Sequence, residues 1–141
     1  MTPQVFLDTN VVLDFALNRP EFVKEAESIF ELKDKGKIDI HISALTLSNV
    51  AYFADKHKLD AFVIVGMFVN WINIIDLKTN FFNQVIASDF LDFEDGLQYY
   101  SALNVKGITA IVTRNTKDFR SSSLPVLTPA QFLHQLSDDS E

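Results

Sequence analysis

The sequence predicts an α/β domain built on a mostly parallel sheet, and two features of the chain predict it. Short runs rich in Val and Ile alternate with amphipathic stretches along the whole chain. Within the runs successive residues are apolar, as in strands covered on both faces. At 141 residues the chain is one ordinary domain, large enough to bury a core without disulfides.

Taken in order, QVFLD (Gln4 to Asp8) reads as a buried strand ending in an acid. TNVVLDFALN carries Val11, Val12, Phe15 and Ala16 at helical spacing until Arg19-Pro20 breaks it. Glu21 to Lys35 sets Phe22, Ala26, Ile29, Phe30 and Lys33 on an amphipathic helix that Gly36 ends. KIDIHIS alternates as a second strand, after which Ser43 caps a helix running to Lys56. Asp60 to Asn73 is a further helix and INIIDL a third strand. Thr79 is the expected cap of a helix reaching Ser88, and Gly107 closes the helix that begins near Asp92. ITAIVT is a fourth strand, RNTKDFRSSS a loop and PVLT a short last strand. Thr128-Pro129 signals a final helix. The domain is expected over residues 1–136, with 137–141 a frayed acidic tail.

Composition narrows the function. With no cysteine, neither a disulfide framework nor a thiolate zinc site can form, which suits a cytoplasmic protein. Met1 to Gln4 lacks the basic start of a signal peptide. The apolar stretch Ala61 to Ile75 is too short for a bilayer, so no membrane is expected. A net charge of −7 argues against gripping nucleic acid by bulk electrostatics. An enzyme that gathers carboxylates around a cation remains open. His41, His57 and His134 have no ligand spacing between them.

In parallel α/β sheets ligands sit outside the carboxyl ends of the strands. That rule singles out Asp8, the loop from Thr113 to Phe119, and helix starts facing the same edge. Asp92 and Asp95 open a helix; capping and the helix dipole explain them locally, and the same position also points an acid into the crevice. Asp8 caps a helix equally well, yet an acid behind VFL sits where an unpaired carboxylate is costly. Lys117, Arg114 or a bound cation could neutralise it. Asp118 is an ordinary loop acid or the third of a converging set. Acids converging on one edge call for a divalent ion. Mg²⁺ or Mn²⁺ prefers oxygen ligands, polarises phosphoryl oxygens and acidifies water, as phosphodiester hydrolysis requires.

FLDTNVVLD, ISALTLSNVAYF, DFEDGLQYYSAL and IVTRNTKDF followed by PVLTPAQFL together resemble the PIN-domain family. They look most like its bacterial branch of VapC-like toxin ribonucleases. The resemblance covers nearly the whole chain and keeps the motifs in order. It implies a three-layer α/β/α fold and an Mg²⁺- or Mn²⁺-dependent endoribonuclease. Residue by residue, Asp8 matches the first acid and Asp95 the acid opening the helix before the TRN strand, with Asp92 as helper. The second acid, usually a glutamate, is here Asn49. The usual Thr-Arg-Asp is Thr113-Arg114-Asn115, and Asp118 is the candidate to replace the lost acid. On this reading Asp8, Asp95 and Asp118 hold one or two cations, and Asn49 and Asn115 orient waters or ligands. Thr9 or Asn10 buttresses Asp8; Arg114, Thr9 and Thr113 are the candidate substrate contacts. A salt bridge to one of the acids is the equal alternative for Arg114.

Two amides for two carboxylates should weaken cation binding. The rival reading is therefore a weak or inactive PIN-like module that binds RNA or a protein. An aspartyl phosphotransfer domain fits less well, because position 10 is Asn where it would need a second acid. Thirteen Phe and one Trp exceed what a small core needs. The helices around Phe15 to Phe30 and Phe62 to Trp71 are thus candidates for a homodimer contact or an antitoxin groove, or else simply pack on the sheet. Toxins of the family pair with a small antitoxin.

Overall fold

The computed structural model describes residues 2–139. Its sheet has five strands: β1 (Gln4–Leu7), β2 (Asp39–Ser43), β3 (Asn73–Ile75), β4 (Ile108–Val112) and β5 (Val126–Leu127). They lie in the order β3-β2-β1-β4-β5 and every neighbouring pair is parallel. Among the described residues seven helices accompany them: α1 (Thr9–Ala16), α2 (Val23–Asp34), α3 (Ala44–Lys56), α4 (Ala61–Trp71), α5 (Thr79–Ile86), α6 (Phe93–Leu103) and, after the last strand, α7 (Pro129–Asp139).

Because strand side chains alternate, β1 feeds two cores at once. Val5 and Leu7 join Ile40, Ile42 and Val112 under a layer drawn from α1 to α4 and α7. Phe6 and Ile111 face the other way, onto Phe81 and Val85 of α5 and Leu97 and Ala102 of α6. Helices thus cover both faces, which gives the expected three-layer α/β/α arrangement and explains why VFL is continuously apolar. In the first core Phe15, Phe30, Phe68 and Trp71 form one aromatic cluster, with Phe15 and Phe30 stacked at 4.3 Å between ring centroids. These aromatics pack inward. The opposite face of α4 leaves Phe62 93% exposed, along with Val63, Met67 and Val69.

Several expectations shift in detail. Thr79 is the first residue of α5 and does not cap it; Lys78, with extended backbone and no side-chain bond, stands at the boundary. The loop after β4 contains one 3₁₀ turn, Thr116–Phe119, because Phe119 buries itself in the second core. Residues 137–139, expected to fray, continue α7, where His134 pairs with Asp138 at 3.3 Å. The last two residues lie outside the described residues. The start of α7 is closed reciprocally: Gln131 N donates to Thr128 Oγ1, and Thr128 N to Gln131 Oε1.

Strand order reverses between β1 and β4, so the crevice of this sheet opens at their carboxyl ends. Asp8 follows one strand directly and Thr113 the other. Among the described residues no helix is long and apolar enough to cross a membrane.

Candidate functional site

Asp8 follows β1 in extended conformation and caps α1, its Oδ1 accepting from Thr9 N at 2.9 Å. The capping explanation is therefore true, and it uses one oxygen. Thr113, fully buried at the end of β4, donates its hydroxyl to Asp8 Oδ2 at 2.7 Å. Asn10 Nδ2 reaches the same oxygen at 3.3 Å, and Gln98 Nε2 reaches Oδ1 at 3.4 Å. Among the described residues neither Arg114, Lys117 nor any other cation pairs with Asp8. Polar neighbours alone hold it.

Asp8 is only 7% exposed, and burial pushes its pKa above the ordinary value. The bonds from Thr113, Thr9 and Gln98 work against that rise, and the charge of Asp118 adds to it. Asp95, in the first turn of α6, is pushed up to about 7. Burial is the largest cause, followed by the charges of Asp92, Asp118, Asp8 and Glu94. Acids from β1, α6 and the turn after β4 are thus close enough to resist one another's ionisation.

They line one open cavity of about 320 Å³ together with Thr9, Asn10, Arg19, Gln98 and Asn115. Asp92 caps α6 by accepting from Asp95 N at 3.0 Å and faces the same space. Of the residues picked out in the sequence, Asp8, Thr9, Asp92, Asp95, Asn115 and Asp118 therefore meet here. Asn49 is not in the lining; from α3 it donates to Glu94 Oε1 at 3.2 Å, so it steadies an acid of the wall. Thr113 is fully buried and not in the lining, with its hydroxyl turned to Asp8. Arg114 is paired internally. Its Nε donates to Asp14 Oδ2 at 2.7 Å, its terminal nitrogen to Oδ1 at 3.2 Å, and its guanidinium covers the Phe22 ring at 3.8 Å. The salt-bridge alternative for Arg114 thus holds, on an acid the sequence did not single out.

Gln98, 2% exposed, escaped the sequence reading altogether. Its Nε2 reaches Thr9 Oγ1 at 2.6 Å and Thr46 Oγ1 at 2.8 Å, while its carbonyl accepts from Ser43 Oγ. One amide thereby locks α6, the start of α1 and the start of α3 around Asp8. Spacing held the only signal: Gln98 stands three residues after Asp95, on the same face of the helix.

The donor set fits a hard divalent cation, being oxygen throughout and acidic beyond what its surroundings neutralise. Among the described residues no three His, Cys, Asp or Glu side chains already stand as a ready-made metal group. A cation that keeps several waters and takes one or two carboxylates directly asks for no such group.

Comparison with known proteins agrees with this architecture. A toxin–antitoxin complex from Klebsiella pneumoniae contains a chain of similar structure, with a TM-score of 0.65 and 24% identity over 89% of this chain and 97% of that one. VapBC2 from Rickettsia felis, bound to a promoter DNA fragment, gives 0.63 and 20% identity over 88% and 96%. The sarcin–ricin loop cleaving toxin VapC20 from Mycobacterium tuberculosis gives 0.59 and 13% identity over 76% and 86%. At these identities the likeness is one of fold. No curated protein matches the chain. The family model described as PIN domain matches residues 4–117, most of the chain. The chain belongs to the PIN domain family.

Proposed function

We propose that the protein is a divalent-metal-dependent endoribonuclease of the toxin–antitoxin kind, hydrolysing RNA phosphodiesters at the cavity around Asp8. One observation carries the reading. Asp8, Asp95 and Asp118 come from distant parts of the chain into one cavity at the reversal of strand order, where burial first and the neighbouring acids second push the Asp95 pKa up to about 7. A cation would relieve the repulsion between these acids. When bound, Mg²⁺ or Mn²⁺ supplies Lewis-acid polarisation of the phosphoryl group and a more acidic water.

The chain's own residues divide the remaining work. Asp8, Asp95 and Asp118 would hold the ion, with Asp92 as helper. Thr113, Asn10 and Gln98 keep both oxygens of Asp8 aimed, and Thr9 links Asp8 to α3 through its 2.8 Å bond with Thr46. Asn115 adds a neutral amide to the cavity wall. Asn49 restrains Glu94. Arg114 is a buttress, since Asp14 and Phe22 already occupy its guanidinium. The exposed apolar face of α4 around Phe62 supports a partner surface, whether for a second copy or for an antitoxin.

Incubation of single-stranded RNA with Mn²⁺ tests the reading. Wild type should cut it and Asp8→Ala should not; equal rates would remove the nuclease claim. Asn49 and Asn115 favour a second reading, a non-cutting module that binds RNA or a protein. That module would show no Mn²⁺-linked rise in melting temperature.

A further inference from the structure

The chain has three arginines, Arg19, Arg114 and Arg120, and each lines one of three cavities along the acidic edge. Neighbouring cavities adjoin. The one with Arg114 shares Asn115 with the central cavity, and the one with Arg120 and Lys117 shares Asp92, Asp95 and Asp118 with it. The three residues come from the α1–α2 corner, the end of β4 and the segment after the 3₁₀ turn. A protein with net charge −7 has gathered all its guanidinium groups at one edge.

Their engagement differs. Arg114 is bidentate on Asp14, which is 1% exposed, and takes both of its oxygens. Arg19 reaches the same carboxylate with one nitrogen only, at 3.3 Å. Its backbone is nevertheless pinned: Arg19 N donates to Asp14 O at 3.0 Å, and Phe22 N and Val23 N donate to Arg19 O. Asn18 makes the corner by taking a left-handed φ of 52°, which Asn tolerates better than most residues. Arg120 is exposed and makes one long contact, 3.4 Å to Lys117 O. Among the described residues neither Arg19 nor Arg120 pairs with Asp8, Asp92, Asp95 or Asp118. No cation of the described residues pairs with these acids, and apart from the single Arg19 nitrogen on Asp14 neither guanidinium is held by a carboxylate.

We propose that Arg19 and Arg120 grip two phosphates of a single-stranded RNA, one in each cavity, so that the strand crosses the shared acids between them. The proposal rests on the nuclease reading of the acid cavity and adds the residues that bring a polyanion to it. A guanidinium fork matches phosphate oxygens bidentately, which a strand repelled at long range by a net negative protein needs at short range. Asp14 acts as a positioning residue that keeps Arg19 at the rim.

Fluorescence anisotropy of a short labelled single-stranded RNA tests this, with Asp8→Asn in every protein so that the probe survives. Arg19→Ala and Arg120→Ala should each weaken binding several-fold. Each should also flatten the slope of log affinity against log salt by about 0.7, the share of one phosphate contact on a single strand. Arg19→Lys should keep the slope, and so covers the case in which Arg19→Ala loses its fold. A salt slope unmoved by both alanine variants, or no RNA binding by the Asp8→Asn parent, overturns the proposal. Cleavage by wild type is scored separately: flattened slopes without cleavage keep the grip and discard the nuclease.

Discussion

Thr113 Oγ1 donates to Asp8 Oδ2 at 2.7 Å, joining the ends of the two strands between which the sheet order reverses. The bond works against the rise that burial imposes on the Asp8 pKa. Thr113→Val keeps the shape and removes the donor. It should cost about 2 kcal/mol, the scale of a hydrogen bond to a charged group, read by urea unfolding. It should also move the acid limb of the pH–rate profile upward, because Asp8 loses the largest of its charge-stabilising bonds.

The raised pKa of Asp95 sets a pH dependence. Its folded value, about 7, lies above the ordinary 3.8, so folding favours the protonated carboxyl. The contribution to stability is full below about 3.8 and is lost as pH rises through about 7. In metal-free buffer the melting temperature of wild type should therefore fall more steeply across that window than that of Asp95→Asn. Mn²⁺ should oppose the fall in wild type, since a bound cation favours the ionised form.

Asn115 is a neutral member of the cavity wall, at the position where the family's pattern has an acid. Asn115→Asp adds a charge where a cation is expected and should tighten Mn²⁺ binding on the order of tenfold by calorimetry. Unchanged affinity would mean that the ion sits elsewhere.

Gly96 follows Asp95 and packs against α5. A Cβ there would stand 2.7 Å from Val85 Cγ1, and a β-branched side chain has little room to yield. Gly96→Ala would gain about 1 kcal/mol of helix propensity in open surroundings, yet the overlap should leave it destabilised by about 1 kcal/mol or more. In a Val85→Ala background the same substitution should become neutral or favourable, a coupling that a double-mutant cycle measures.

How far the chain could be read without coordinates follows from where each signal sits. Val5, Phe6 and Leu7 announce a strand covered on both faces because no polar residue interrupts them. Asp8, Asp92, Asp95 and Asp118 were legible because strand ends and first helical turns are places where position and chemistry coincide. Gln98 was not, since a polar residue inside a buried helical stripe has no partner visible in the string; its partners stand as far as 90 residues away. Asn49 likewise finds Glu94 only across 45 residues. Arg19 read as the end of a helix, and only the closing of the α1–α2 corner turns it to the acids.

The most direct measurement is an anomalous difference map from crystals soaked in Mn²⁺. A peak inside the cavity walled by Asp8, Asp95 and Asp118, absent from Asp8→Ala crystals, is the predicted result. A wild-type map with no peak in that cavity would contradict the metal-dependent account of the site.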